Sequence, residues 1–85
     1  MKRVEIYVTS TCPFCIMAKR LLDKKGISYE ETDVGREPQL RAAMTQRANG
    51  RRTVPQIFIG DEPIGGCDEL HALEHSGKLD QMLAS

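Results

Sequence analysis

The sequence of 85 residues contains no tryptophan, and its only aromatic residues are two tyrosines and two phenylalanines. Basic and acidic side chains balance at 12 each, so there is no excess charge of either sign. Proteins that bind nucleic acid nonspecifically need many basic contacts to phosphate, which this balance disfavours. No apolar run comes near the roughly 18 residues of a membrane span. We therefore expect neither nucleic acid nor a membrane among the partners of this protein.

A recognisable export signal is also missing, because the apolar pieces of the N-terminal MKRVEIYV are short and are interrupted by Glu5. We therefore expect a cytoplasmic protein. The three cysteines are odd in number, which disfavours a disulfide framework. In a reducing cytosol, a close pair of cysteines is typical of a catalytic or metal-binding site. The chain length predicts one domain over residues 1–85.

The spacing of apolar residues changes several times along the chain, as it does in α/β domains. Residues 3–8 alternate between apolar and polar side chains and predict a strand. Two more strands are predicted at residues 27–32 and 56–60. Pro63 lies in a fourth, short strand, which must run along an edge of the sheet or begin at the proline, because proline has no backbone N–H to donate.

Three helices are predicted from the residues at their ends. Proline suits the first helical position, glycine ends a helix, and acidic side chains offset the positive N-terminal end of the helix dipole. These signals place the helices at Pro13 to Gly26, Pro38 to Gly50 and Asp68 to Gly77. Leu40, Ala43 and Met44 should form the inner face of the second helix. The overall order is β-α-β-α-β-β-α, with a last helical turn at residues 79–83.

The stretch TSTCPFCIMAK carries two cysteines three positions apart, Cys12 and Cys15. If the first helix begins near Pro13, Cys12 lies at its N-terminal edge, where unpaired N–H groups and the dipole favour a thiolate. Cys15 then lies in the first turn, close enough to form a disulfide with Cys12. An exposed thiolate beside a second thiol is the arrangement that thiol–disulfide exchange needs.

Zinc binding is the main alternative for this pair, because C-x2-C with H-x3-H is a known ligand set. The chain contains His71 and His75 at that histidine spacing. They lie much farther from the cysteines than the dozen or so residues usual in zinc fingers, and the intervening sequence has the pattern of a packed α/β domain. A zinc-bound binding module is therefore disfavoured but stays open at this point.

The CPFC motif after a strand, TVPQIFI at residues 53–59 and GGCDEL at residues 65–70 follow one another in the order and at the spacing of glutaredoxins. Over its whole length the chain resembles the small bacterial, glutathione-dependent type. The resemblance implies a thioredoxin fold, with a four-stranded mixed sheet flanked by helices and a cis Pro55. It also implies an enzyme that reduces protein disulfides and glutathione mixed disulfides.

The resemblance assigns the catalytic roles to Cys12 as nucleophile and Cys15 as resolving thiol. The residues that it implies in support are Thr11, Pro13, Phe14 and Pro55. The glutathione-binding residues that it implies are Thr53, Val54, Gly66, Cys67 and Asp68. Phe14 replaces the tyrosine that is usual in the family, and Thr9 stands where the family often has a lysine for the glycyl carboxylate. Arg51 and Arg52 are the expected substitutes, ahead of Arg47 and Arg36.

The family further implies glutathione as a co-substrate, no permanently bound cofactor and no metal ligand. The implied partners are disulfide-containing or glutathionylated proteins, ribonucleotide reductase among them, and we expect a monomer. Family members that bridge a [2Fe–2S] cluster between two protomers usually lack the proline or the second cysteine of the pair. This chain has both, so a cluster carrier or sensor is the alternative reading. A glutathione sensor with poor turnover also stays open, because of Thr9.

Overall fold

The structure, a computed structural model, describes residues 1–84. The strands are β1 (Val4–Val8), β2 (Glu30–Asp33), β3 (Gln56–Ile59) and β4 (Glu62–Gly65). The helices are α1 (Pro13–Lys24), α2 (Pro38–Arg47), α3 (Cys67–His75) and α4 (Lys78–Leu83). The expected order is confirmed, and the last helical turn is the separate helix α4. None of the helices among the described residues has the length and apolar character that crossing a bilayer needs.

The four strands form one mixed sheet in the order β2-β1-β3-β4. Strand β1 runs parallel to β2 and antiparallel to β3, and β4 pairs with β3 at the edge. The edge position of β4 accommodates Pro63, as expected from its missing N–H. Strand β2 begins three residues later than predicted. Its expected first residue, Ile27, instead donates its N–H to the Leu22 carbonyl at 2.9 Å and packs into the core at the end of α1.

One face of the sheet carries the apolar core. Side chains alternate between the two faces of a strand, and this alternation directs apolar residues of β1 and β3 to the same face. That face packs against α1, α3 and α4. The buried residues are Val4, Ile6, Val8, Ile57 and Ile59 from the strands, with Ala18, Leu22, Leu70, Leu79 and Leu83 from the helices. The core therefore fixes the positions of α1 and α3 relative to the strand ends.

The opposite face of the sheet is organised by a polar contact with α2. Arg47 donates from Nη1 to Glu5 Oε2 at 3.0 Å and to the Tyr7 hydroxyl at 2.8 Å, and its guanidinium lies 4.1 Å from the Phe58 ring centroid. Of the expected inner face of α2, only Met44 is buried, while Ala43 is exposed. The prediction for Ala43 was wrong, because Met44 and the C-cap residue Ala48 are the buried apolar residues here and Arg47 makes the polar contact with the sheet.

We expect Arg47→Ala to lower the free energy of unfolding by about 1 to 3 kcal/mol, because it removes the ring contact and the hydrogen-bonded cation of the largely buried Glu5 carboxylate, which would keep only Arg3 Nε at 4.0 Å. The measurement is urea denaturation at neutral pH. The control is Lys19→Ala, which removes a partly exposed pair with Glu31 and should cost less than about 1 kcal/mol. Equal losses in the two variants would contradict the structural role of Arg47.

Candidate active site

The sulfur of Cys12 caps the N-terminus of α1. Cys12 has extended backbone angles, φ −98° and ψ 110°, and its Sγ accepts the backbone N–H of Cys15 at 3.1 Å. Pro13 occupies the first helical position and has no N–H to satisfy. The sulfur thus takes the place of the side-chain oxygen that usually caps a helix. Unpaired N–H groups and the helix dipole at this position favour negative charge on the capping atom.

Cys15 lies behind Cys12 and is almost fully buried, at 1% exposure. Burial raises the pKa of the Cys15 thiol well above its ordinary value, the hydrogen bond with Cys12 raises it further, and a hydrogen bond with the Thr9 backbone partly opposes the rise. Both cysteines are free thiols and lie 2.7 Å apart. The pair therefore combines the Cys12 sulfur at a helix N-terminus with a protonated Cys15 thiol that is close enough to form a disulfide with it.

A groove of about 270 Å³ borders the cysteine pair. Its lining residues are Phe14, Arg51, Thr53, Val54, Pro55, Gly66, Cys67, Asp68 and Glu69. The Val54–Pro55 peptide is cis, as the family resemblance implied. The Cys12 thiol donates to the Val54 carbonyl oxygen, with 3.7 Å between Sγ and O. The backbone of the Val54–Pro55 loop therefore forms the groove wall next to the sulfur of Cys12.

The opposite wall is the N-terminus of α3. The Glu69 carboxylate reaches back to accept the Gly66 N–H at 2.6 Å and also accepts Arg51 Nη2 at 3.3 Å. The Gly66 N–H, followed by the charge of Arg51, lowers the pKa of Glu69. Gly65 has φ +109°, and a Cβ there would lie 2.6 Å from Glu69 Oε1. Only glycine fits this position without displacing Glu69.

Cys67, the first residue of α3, is buried at the same end of the groove. Burial raises the pKa of its thiol, and the negative charge of Asp68 raises it further. The His71 Nδ1 lies 2.9 Å from the Cys67 carbonyl oxygen and 3.5 Å from the Cys67 sulfur. The raised pKa therefore favours the neutral form of the Cys67 thiol.

The structure separates the candidate arginines. Arg51 lines the groove, whereas Arg52 lines a different surface cavity with Arg41, which also donates to the Arg52 carbonyl oxygen at 2.9 Å. Arg47 lies on the α2 face of the sheet. Sequence reasoning could not choose between the adjacent Arg51 and Arg52.

Glu69, which positions Arg51, was missed as a site residue. The signal that could have found it is the acidic residue three positions after Gly66, at the N-terminus of a helix. Thr11, expected as a supporting residue, is exposed in the turn before Cys12.

The zinc alternative needs both histidines beside the cysteine pair. His71 and His75 instead line a surface groove between α1 and α3, and neither Cys12 nor Cys15 lines that groove. Within residues 1–84, no group of three or more histidine, cysteine, aspartate or glutamate side chains has a geometry that could hold a metal ion. The geometry of the described residues therefore gives the four-ligand zinc module no support.

Comparisons with known proteins agree with this geometry. A family model described as Glutaredoxin matches residues 4–64. A glutaredoxin of Pseudomonas aeruginosa is 51% identical over 85 residues, covering 100% of both chains. The solution structure of a glutaredoxin from Brucella melitensis is similar at a TM-score of 0.86 and 52% identity, over 98% of this chain and 89% of that one.

A crystal structure of a buckwheat glutaredoxin–glutathione complex is similar at a TM-score of 0.88 and 34% identity. The match covers 96% of this chain and 76% of the buckwheat chain. Together, these likenesses confirm the thioredoxin fold that the motifs implied.

We expect iodoacetamide at neutral pH to alkylate Cys12 and to leave Cys15 and Cys67 largely unmodified in the folded protein. Cys12 is the most exposed of the three, at 9% against 1% and 5%, and burial raises the pKa of the other two. The measurement is peptide mass spectrometry after a short labelling pulse. Protein unfolded in urea is the control, in which all three cysteines react. Equal labelling of Cys12 and Cys15 in the folded protein would contradict this arrangement.

Proposed function

The chain belongs to the glutaredoxin family and is a thiol–disulfide oxidoreductase, and from this premise we propose that it reduces protein disulfides and glutathione mixed disulfides with glutathione as co-substrate. The supporting observation is a groove beside the Cys12 sulfur that is lined by Val54, by the N-terminus of α3 and by the Arg51 cation. The likeness to the buckwheat glutaredoxin–glutathione complex adds support. We place the activity in the cytoplasm, where glutathione keeps thiols reduced.

Glutathione carries two carboxylates, one ammonium and one thiol, and the groove offers a complementary group for each. The free N–H groups at the start of α3, at Cys67 and Asp68, suit the γ-glutamyl carboxylate. The exposed Asp68 carboxylate suits the ammonium. Val54 offers backbone groups that can pair with an extended peptide as a short strand would. Arg51 is the cation of the groove and the candidate for the glycyl carboxylate, in place of the lysine that Thr9 replaces; to reach that carboxylate its exposed guanidinium would turn away from Glu69.

The proposed cycle for a glutathionylated substrate needs only Cys12. The Cys12 thiolate attacks the glutathione sulfur of the mixed disulfide, so that a Cys12–glutathione disulfide forms and the substrate leaves as a thiolate that takes up a proton. A second glutathione thiolate then attacks the glutathione sulfur on Cys12. Oxidised glutathione leaves, and the Cys12 thiolate is regenerated.

For a protein disulfide, the proposed cycle also uses Cys15. Cys12 first forms a mixed disulfide with the protein, releasing one substrate thiol. The Cys15 thiol then loses its proton and attacks the Cys12 sulfur, so that the second substrate thiol leaves and a Cys12–Cys15 disulfide forms. Two molecules of glutathione reduce this disulfide. The raised pKa of Cys15 suits this order, because a buried neutral thiol does not compete with Cys12 for the first attack.

We expect Cys12→Ser to abolish reduction of a small glutathione mixed disulfide and Cys15→Ser to retain it, because only Cys12 forms the glutathione intermediate. The assay couples glutathione, glutathione reductase and NADPH. Reduction of a protein disulfide should depend on both cysteines. Retained activity in Cys12→Ser would overturn the proposed mechanism, and inactivity of the wild type with glutathione would overturn the proposed co-substrate.

We expect Arg51→Gln to raise KM for glutathione about threefold to tenfold, since it removes one charge-assisted hydrogen bond at a partly exposed site. Arg52→Gln is the matched control and should change KM by less than about twofold, because Arg52 lies outside the groove. Steady-state kinetics with varied glutathione provide the measurement. A larger effect at Arg52 than at Arg51 would show that the glycyl carboxylate binds elsewhere.

A further inference from the structure

A second groove, of about 710 Å³, runs between α1 and α3 on the side away from the glutathione-binding residues. We call it the α1/α3 groove and define it by Met17, Arg20 and Lys24 on α1 and by His71 and His75 on α3. The cysteine-bearing N-termini of both helices lie at the active-site end of this groove. Its far end is closed by an ion pair between Lys25 Nζ and Glu74 Oε1 at 2.8 Å. The groove therefore leads away from the reactive sulfur along the two helices.

The surface between the active site and this groove is unusually apolar. Phe14, Ile16 and Met17 are 56%, 45% and 47% exposed, and apart from Met1 they are the exposed large apolar side chains within residues 1–84. Phe14 lines the glutathione groove and Met17 lines the α1/α3 groove. A protein substrate held at Cys12 would lie against this apolar strip. Such a strip beside a catalytic centre is typical of a surface that contacts another protein.

The charge of the α1/α3 groove is positive. Neither Arg20 nor Lys24 pairs with a carboxylate in the described part of the chain, whereas neighbouring Lys19 and Lys25 are both paired. Glu74 is the acidic residue in the lining, and its carboxylate is paired with Lys25. Two unpaired cations thus remain on one wall, opposite two imidazoles. This charge is complementary to a segment with carboxylates and not to a basic or neutral one.

We propose that the α1/α3 groove docks an acidic segment of the disulfide-containing or glutathionylated protein substrate, close in sequence to the cysteine that Cys12 attacks. The proposal rests on the proposed function, since it names the substrate class of the same site. A helix rises 1.5 Å per residue, so Met17 lies about 7 Å along α1 from Cys12, and Arg20 and Lys24 lie about 12 and 18 Å from it. An extended segment covers about 3.3 Å per residue. The best substrate therefore has an apolar residue about two positions, and acidic residues about four and five positions, from its reactive cysteine.

The experiment uses the complete protein and three synthetic peptides, each with one glutathionylated cysteine. The first has leucine at the second position and aspartate at the fourth and fifth positions on both sides of the cysteine, so that binding direction does not matter. The second has asparagine in place of each aspartate. The third has the aspartates moved to about the tenth position, beyond the reach of Lys24. The rate of peptide deglutathionylation at low ionic strength gives kcat/KM for each.

We expect kcat/KM for the near-aspartate peptide to exceed that of the other two by about threefold to tenfold, as two exposed ion pairs would give. The preference should disappear in the double variant Arg20→Gln/Lys24→Gln and should weaken as salt shortens the range of the charges. The matched control is Lys2→Gln/Lys78→Gln, which removes two exposed positive charges elsewhere and should keep the preference.

The outcomes separate this surface from the proposed function. Turnover of all three peptides at equal rates would overturn the acidic docking surface and leave the glutathione-dependent reaction intact. A preference that survives Arg20→Gln/Lys24→Gln would also overturn it, because the carboxylates would then bind elsewhere. Absence of turnover with every peptide would overturn the proposed function and the docking surface together. A near-aspartate preference that only the Arg20/Lys24 variant removes would establish the surface.

Discussion

The hydrogen bond from the Cys15 N–H to the Cys12 sulfur is the contact on which the rest of the site depends. It exists because α1 begins at Pro13, so that the backbone before it is free to extend and to aim a side chain at the first turn. The same geometry buries Cys15 behind Cys12. One helix start thus gives the two sulfurs different surroundings: Cys12 keeps a small exposed fraction beside the groove, and Cys15 is enclosed by the core.

The apolar core extends this constraint to the whole site. Packing of β1 and β3 against α1 and α3 brings the first residues of both helices to one end of the sheet, beside the Val54–Pro55 loop. Two sets of unpaired helix N–H groups therefore serve one groove: those of α1 at the reacting sulfur, and those of α3 at its far wall. The Glu69 carboxylate belongs to this wall as well, because it joins the Gly66 N–H and Arg51.

Local signals in the sequence were sufficient for most of the fold. Prolines at helix starts and the alternation of residues 3–8 correctly predicted α1, α2 and β1. Strand β2 was placed too early, because a β-branched residue such as Ile27 suits both a strand and a core position after a helix. The prediction that Ala43 faces inward failed for a similar reason, since the spacing of apolar residues does not reveal that Arg47 contacts the sheet.

The motifs were sufficient for the cysteine pair, whereas the choice of Arg51 over Arg52 needed the structure. Adjacent residues in a loop point in different directions, and no periodicity distinguishes them. The α1/α3 groove was equally invisible in the sequence, because it forms only when two helices 43 or more residues apart in the chain lie side by side.

The weak apolar attachment of α2 has a consequence for dynamics. Met44 is the one buried residue of this helix, whereas α1 buries three residues and α3 buries two. Segments with few buried contacts open more often than the core does. Backbone amides of α2 should therefore exchange with solvent deuterium faster than those of β1 and β3. The loop that carries Arg51 and Val54 follows directly from α2. A peptide bound in the glutathione groove would hold this loop and would therefore slow the local opening of α2. Binding in the groove would thus make α2 more ordered, although α2 does not line the groove.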